Sequence, residues 1–201
     1  MKKGFTLIEM VIVVAIITIL SGVVFLSSLN SFRTSKVEGF SNEALSLISR
    51  LYDNQSSKAR FLDQINSNNA EATYNIVFEE DNGEIKAKLR DKQETIDEVL
   101  ISNIASIKDM SLKFKDKVVG EEETRDNIIL PKNTSSIKKY ILTFDSKGRV
   151  VRTIEDGMGT PETKILKSLT IQIGIENKNF FRNIIITTPP AGNIVMEKEM
   201  G

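Results

Sequence analysis

The sequence predicts an α+β fold: a long N-terminal helix, half transmembrane and half amphipathic, packed on a mostly antiparallel β-sheet or sandwich of about eight strands. Three observations predict it. From Met10 to Phe32 the chain carries no charged residue and no proline over 23 residues. From Val37 to Leu51 apolar residues return at three- and four-residue steps. Beyond residue 70 the pattern shifts to short apolar runs separated by turn-forming Gly, Asn, Asp and Pro.

The first stretch is long enough to cross a bilayer core, which takes roughly 20 helical residues. Lys2 and Lys3 precede it and hold that end on the cytoplasmic side. An ordinary secretory signal peptide has an apolar region of only about 7–15 residues and a small-x-small cleavage site. Here Phe25 and Leu26 stand two positions before Ser27 and Ser28, so no such site forms there. A plain signal-anchor helix explains the lysines and the apolar run but not Glu9. A carboxylate left unpaired at the centre of a membrane span costs on the order of 2–3 kcal/mol, and less near the interface. Intramembrane charges therefore mark a partner.

After Arg33 polarity rises while helical periodicity persists. Val37, Phe40, Ala44, Leu47, Ile48 and Leu51 form one apolar stripe, and Ser41, Asn42, Glu43, Ser46, Ser49, Arg50 and Asp53 fill the other face. The helix ends near Arg60–Gln64, before Asn66-Ser67-Asn68-Asn69. From Phe5 to Arg60 it would be about 84 Å long at 1.5 Å per residue.

The strands follow in order. Tyr74–Glu79 and Glu84–Leu89 flank Asp81-Asn82-Gly83, a strong hairpin pattern. Met110–Phe114 alternates apolar and polar residues, and the charged segment Gly120–Asn127 reads as a loop. Tyr140–Phe144 and Arg149–Ile154 flank a second turn, Asp145-Ser146-Lys147-Gly148. Glu155–Glu162 reads as a loop, and Leu169–Ile175, Asn183–Thr188 and Ile194–Lys198 make a closing meander with Pro189-Pro190-Ala191-Gly192 between the last two.

Composition narrows the function. The 201 residues include no cysteine and no histidine. That leaves no thiolate or imidazole metal site, no disulfide framework and no usual general base. No nucleophile elbow, phosphate loop or dinucleotide fingerprint is present, so no catalytic residue, cofactor or metal is expected and the chain does not read as an enzyme. Glu79-Glu80-Asp81-Asn82-Gly83-Glu84 offers hard oxygens for calcium but lacks EF-hand spacing and reads as a solvated hairpin tip, as Glu121-Glu122-Glu123 reads as a solvated loop. With Lys2, Lys3 and Glu9 set aside, 25 basic residues face 26 acidic ones, so no global field draws nucleic acid.

Lys2-Lys3-Gly4-Phe5-Thr6-Leu7-Ile8-Glu9, followed by the apolar helix, closely resembles the prepilin signature of type IV pilins and type II secretion pseudopilins. The resemblance covers residues 2–9 without a mismatch, and the character of the helix extends it to about Leu29. It implies that a membrane aspartyl peptidase cuts after Gly4 and methylates the new N-terminal Phe5. Residues 1–4 would then be the leader, 5–32 the transmembrane and filament-core helix, 33–65 its amphipathic second half, and 66–201 an extracytoplasmic β-rich domain. It gives Glu9 an assembly role. The carboxylate of one subunit would meet the Phe5 amine of its neighbour, neutralising both charges and setting axial register. The implied partners are other pilin subunits, the prepilin peptidase, a membrane platform protein and a cytoplasmic assembly ATPase. The implied location is the bacterial cytoplasmic membrane, in a single pass with the N-terminus cytoplasmic, and then a surface pilus or pseudopilus. Major pilins often carry a proline about two thirds along the apolar helix, where this chain has Leu26. That departure favours a minor pilin or pseudopilin over a major subunit.

More loosely, Leu142–Arg149 and Arg182–Pro189 resemble the GspH/FimT branch of minor pilins and pseudopilins. Some members of that branch bind DNA through a C-terminal Gly-Arg-x-Arg motif. The corresponding residues here are Gly192-Asn193-Ile194-Val195, without either arginine. Lys147, Arg149 and Arg152 remain as a candidate phosphate-binding strip. Two functional classes stay open: a structural filament subunit, and a filament-tip module binding DNA, a secreted protein or a host surface.

Overall fold

A computed structural model of the chain describes residues 6–58, 74–81, 84–92, 94–102, 110–130, 139–145, 147–155, 161–175, 180–187 and 194–200. The chain divides into two compact units, 1–36 and 37–201. One long helix, α1 (Leu7–Lys58), begins in the first and ends in the second.

In the first unit α1 is apolar and fully exposed: Ile8, Val13, Leu20 and Phe25 all present their side chains outward. It is the one helix among the described residues that is long and apolar enough to cross a membrane. Two of its hydroxyls bond back to the helix backbone one turn earlier. Thr18 Oγ1 donates to the Val14 carbonyl at 2.8 Å, and Thr34 Oγ1 to that of Asn30 at 3.0 Å.

In the second unit the predicted stripe becomes core. Val37, Ala44, Leu47, Ile48 and Leu51 are buried, with Phe40 and Tyr52 packed beside them. Ser41 sits on the same face and is accommodated because its hydroxyl donates to the Val37 carbonyl at 2.7 Å. The helix end proposed at Arg60–Gln64 and the asparagine-rich breaker after it lie outside the described residues.

Ten strands complete the unit: β1 (Tyr74–Asp81), β2 (Glu84–Asp91), β3 (Glu94–Ser102), β4 (Met110–Val118), β5 (Thr124–Leu130), β6 (Lys139–Phe144), β7 (Val150–Glu155), β8 (Glu162–Ile175), β9 (Phe180–Thr187) and β10 (Ile194–Met200). All pairings are antiparallel, and the main path runs β10-β9-β8-β7-β6-β1-β2-β3. The 14-residue β8 joins two sheets. Its first half pairs with β7 through Val151↔Ile165 and Thr153↔Thr163. Its second half lies between β4 and β9, with Ile171 opposite both Phe114 and Ile184. Strand β5 extends this second sheet beyond β4.

Aromatic packing ties the two sheets across the core. Phe114 of β4 stacks on Tyr140 of β6 at 3.9 Å between ring centroids, and Phe78 of β1 meets Phe114 edge-on at 5.1 Å. Tyr140 is fully buried, and its hydroxyl finds no hydrogen-bond partner. Burial, helped by the negative charge of Asp116 and opposed by Arg152, raises its pKa well above the ordinary value. The folded state therefore keeps the proton while the unfolded chain releases it near pH 10. This linkage costs nothing below that pH and removes stability as pH rises above about 10, by up to about 1.4 kcal/mol per pH unit. Urea titrations in detergent at pH 7 and 10.5 should show a loss at the higher pH that is smaller in Tyr140→Phe.

Gly174 faces Phe181 across the β8–β9 ladder. A Cβ there would overlap the Phe181 ring and the Phe180 carbonyl oxygen. Gly174→Val is expected to cost about 1–3 kcal/mol through overpacking, read as a lower melting temperature.

Two strands exceed the eight expected. In β3 the turn before it carries no glycine or asparagine among its described residues, and its positive φ of 58° falls on Lys92. The strand itself is charged and forms the sheet edge, which blunts its apolar pattern. Residues Thr124–Asn127, expected in a loop, belong to β5, so the real turn is confined to the residues between Val118 and Thr124. Strand β8 is also twice its expected length, because it serves both sheets. Asn82 and Gly83 lie outside the described residues, yet Asp81 pairs with Glu84, which leaves the two-residue connection that Asn-Gly favours.

Candidate functional site

The start of α1 is built as a capping box. Thr6 is the N-cap and Glu9 the third helical residue, the spacing at which each side chain reaches the other's backbone. The Thr6 N–H donates to Glu9 Oε2 at 2.8 Å, and the Thr6 hydroxyl donates to the same oxygen at 2.8 Å. In return the Glu9 N–H approaches Thr6 Oγ1 at 3.4 Å. The Met10 N–H then opens the helical ladder on the Thr6 carbonyl at 3.3 Å. A carboxylate at this end also favours the helix dipole.

This arrangement adds to the sequence reading of Glu9. Glu9 has a partner in its own chain, and that partner is Thr6, a residue the sequence reading left without a role. The pattern Thr6-Leu7-Ile8-Glu9 carries the capping-box spacing in plain view. It is hidden because the same letters belong to the membrane segment, where a charge is read first as a site for another chain. Only Oε2 is engaged; among the described residues no hydrogen bond reaches Oε1. The carboxylate therefore has one oxygen without a hydrogen bond to any described residue, at the N-terminal end of an apolar helix. Gly4 and Phe5, expected as the processing residues, lie outside the described residues.

The other candidates resolve differently. Glu79 of the acidic hairpin pairs with Lys88, and with Arg90 at 3.8 Å, while Glu84 lies 3.8 Å from Lys86. Among the described residues no group of three side chains is placed to hold a metal ion. The strip of Lys147, Arg149 and Arg152 does not form. Arg152 is 1% exposed and paired with Asp116, with Glu162 at 3.7 Å. Arg149 is held by Asp145, whose Oδ2 accepts from its Nε at 2.6 Å. The other oxygen of Asp145 accepts from the Lys147 and Arg149 backbone N–H groups at 3.0 and 2.8 Å, so this aspartate organises the turn. Gly148 completes it with a φ of 71°. The residues Gly192 and Asn193 lie outside the described residues.

Three polar contacts fix the amphipathic half of α1 on the strands. Glu38 pairs with Arg182 of β9, and Arg50 with Asp97 of β3. The buried Gln55 amide donates to the Tyr74 carbonyl at 3.0 Å and to Thr143 Oγ1 at 2.7 Å. They read as structural, since each joins two elements of one core.

No curated protein and no solved structure matches the chain. Its N-terminus does match a family model: residues 1–25 fit the prokaryotic N-terminal methylation motif. The apolar helix thus opens with the prepilin signature of type IV pilins and pseudopilins.

Proposed function

We propose that this chain is a minor type IV pilin-like subunit, cut after Gly4, N-methylated at Phe5 and built into a helical filament. The observation that carries the reading is the Glu9 carboxylate at the head of an apolar helix, one oxygen in the cap and the other open. Cleavage would place a positive α-amino group at Phe5, four residues before Glu9. In a stacked array the open oxygen of one subunit accepts from the amine of the next. The pair neutralises two charges in a low-dielectric setting and sets the axial step between helices. Apolar packing of α1 supplies the remaining attraction.

Before assembly the subunit spans the cytoplasmic membrane once, with Lys2 and Lys3 inside and the β-rich unit outside. The unbroken helix through Leu26 supports a minor rather than a major subunit. Peptidase, platform protein and ATPase act on it as they do on prepilins in general. Mass spectrometry of the protein purified from its own membranes tests the reading. The expected first residue is N-methyl-Phe5, and an intact Met1 start overturns the proposal.

A further inference from the structure

The first unit ends on two cations, Arg33 and Lys36. They stand three residues apart on α1, close enough for like charges to repel. From Met10 to Val37 the chain has no acid, and the first one after that, Glu38, is paired with Arg182 of β9. The neighbours one turn away, Leu29, Asn30, Val37 and Phe40, carry no charge. Among the described residues neither cation has a side-chain hydrogen bond or an ion pair. Lys36 turns back along the helix instead. Its ammonium lies over the Phe32 ring, 5.5 Å from the centroid and one turn nearer the apolar run. Phe32 is 52% exposed, Lys36 is exposed and Arg33 is half-buried.

Helix geometry puts these cations at the level of a membrane surface. Arg33 lies 24 residues beyond Glu9, about 36 Å along the axis at 1.5 Å per residue. A hydrocarbon core is about 30 Å thick, and the headgroup layers bring the whole to about 40–45 Å. With Glu9 at one edge of the core, Arg33 falls about 6 Å past the other, among the headgroups. The backward turn of Lys36 carries its ammonium into the same layer. We propose that Arg33 and Lys36 hold the headgroup phosphate of an anionic phospholipid where α1 leaves the bilayer. The guanidinium offers a planar fork that matches phosphate oxygens, and the ammonium offers a point charge beside it. A bound anion relieves the repulsion that no acid of the chain relieves. One cation near such a surface favours anionic lipid by about fivefold. Lys2 and Lys3 precede the apolar run, so cations flank the span at both ends. The site rests on α1 crossing a membrane, and not on cleavage after Gly4 or on the Glu9 pair.

The chain has no tryptophan, so Phe32→Trp introduces a single fluorophore beside Lys36 and keeps an aromatic ring there. Full-length protein is reconstituted in vesicles of equal parts phosphatidylcholine and phosphatidylglycerol, with one lipid or the other brominated near the headgroup end of its chains. Bromine quenches tryptophan only at close contact, so the two samples report which lipid sits beside the residue. Phosphatidylglycerol is expected to be favoured by about fivefold or more. Arg33→Gln with Lys36→Gln in that background should bring the two lipids within about twofold of each other, while Arg33→Lys should keep the preference. Quenching by neither lipid would mean that α1 does not cross the membrane, and both readings would fall. Equal quenching by the two lipids, or a preference that survives the glutamine pair, would overturn the headgroup site and leave the span standing.

Discussion

Glu9→Leu is expected to leave the chain in the membrane fraction and to cut its recovery in sheared filaments by about tenfold or more. Insertion needs only the apolar run, which leucine extends. Assembly loses a charge-assisted contact worth about 1.5–3 kcal/mol per interface, and about 1.4 kcal/mol already amounts to tenfold. The capping box makes the test more specific. Glutamine also serves at the third position of such a box, so Glu9→Gln keeps the helix start while removing the charge. If Glu9→Gln fails in assembly as Glu9→Leu does, the charge sets register. If it assembles normally, Glu9 serves only to cap α1 and the register role is wrong. Thr6→Val tests the other half: it removes a cap worth about 1 kcal/mol and should weaken incorporation less than Glu9→Gln does, while Thr6→Ser should behave as the parent.

The second large effect lies in the core. Asp116→Ala should destabilise the β-rich unit by about 3–5 kcal/mol, measured by urea unfolding of the whole chain in detergent. Arg152 and Asp116 are each about 1% exposed, so removing the carboxylate strands a guanidinium in an apolar interior. Glu162, 3.7 Å from Arg152, is 45% exposed and compensates only weakly. The Asp116→Leu, Arg152→Met double variant removes both charges and should recover most of the loss, since burying an ion pair gains little over apolar packing. A double variant as unstable as Asp116→Ala would mean that the pair itself, and not the orphaned charge, holds β4 to β7.

Those two residues also show where sequence reading runs out. Arg152 sits in a Val-Val-Arg-Thr strand beside Lys147 and Arg149, and by spacing alone all three belong to one cationic edge. What separates them is Asp116, 36 positions earlier, on a strand whose alternation Leu112, Phe114, Asp116, Val118 places an acid at a core position. Seen from one strand, that acid breaks the pattern. Seen with β7 in place, it completes a pair. Strands β3 and β5 were obscured for a related reason. Their charges suppress the apolar signal, and their assignment depends on the ladders made with β2 and β4. Thr6 is a different case, since its capping partner lies only three residues away and the pattern was readable throughout.

By itself the sequence determined what depends on neighbours along the chain. The apolar span, the amphipathic stripe from Val37 to Leu51, the Asp81-Asn82-Gly83 and Asp145–Gly148 turns and the prepilin signature all rest on spacings of a few residues, where local geometry governs. Tertiary structure decided what depends on partners far apart: β8 joining two sheets, and Arg152 turned inward to Asp116. It also gave Glu9 a local partner in Thr6. The sequence marked that carboxylate as costly without a partner, and the folded helix shows one oxygen satisfied by Thr6 and the other without a hydrogen bond among the described residues. The difference is physical: desolvation and pairing energies are set by what surrounds a group in space, and only the fold specifies those surroundings.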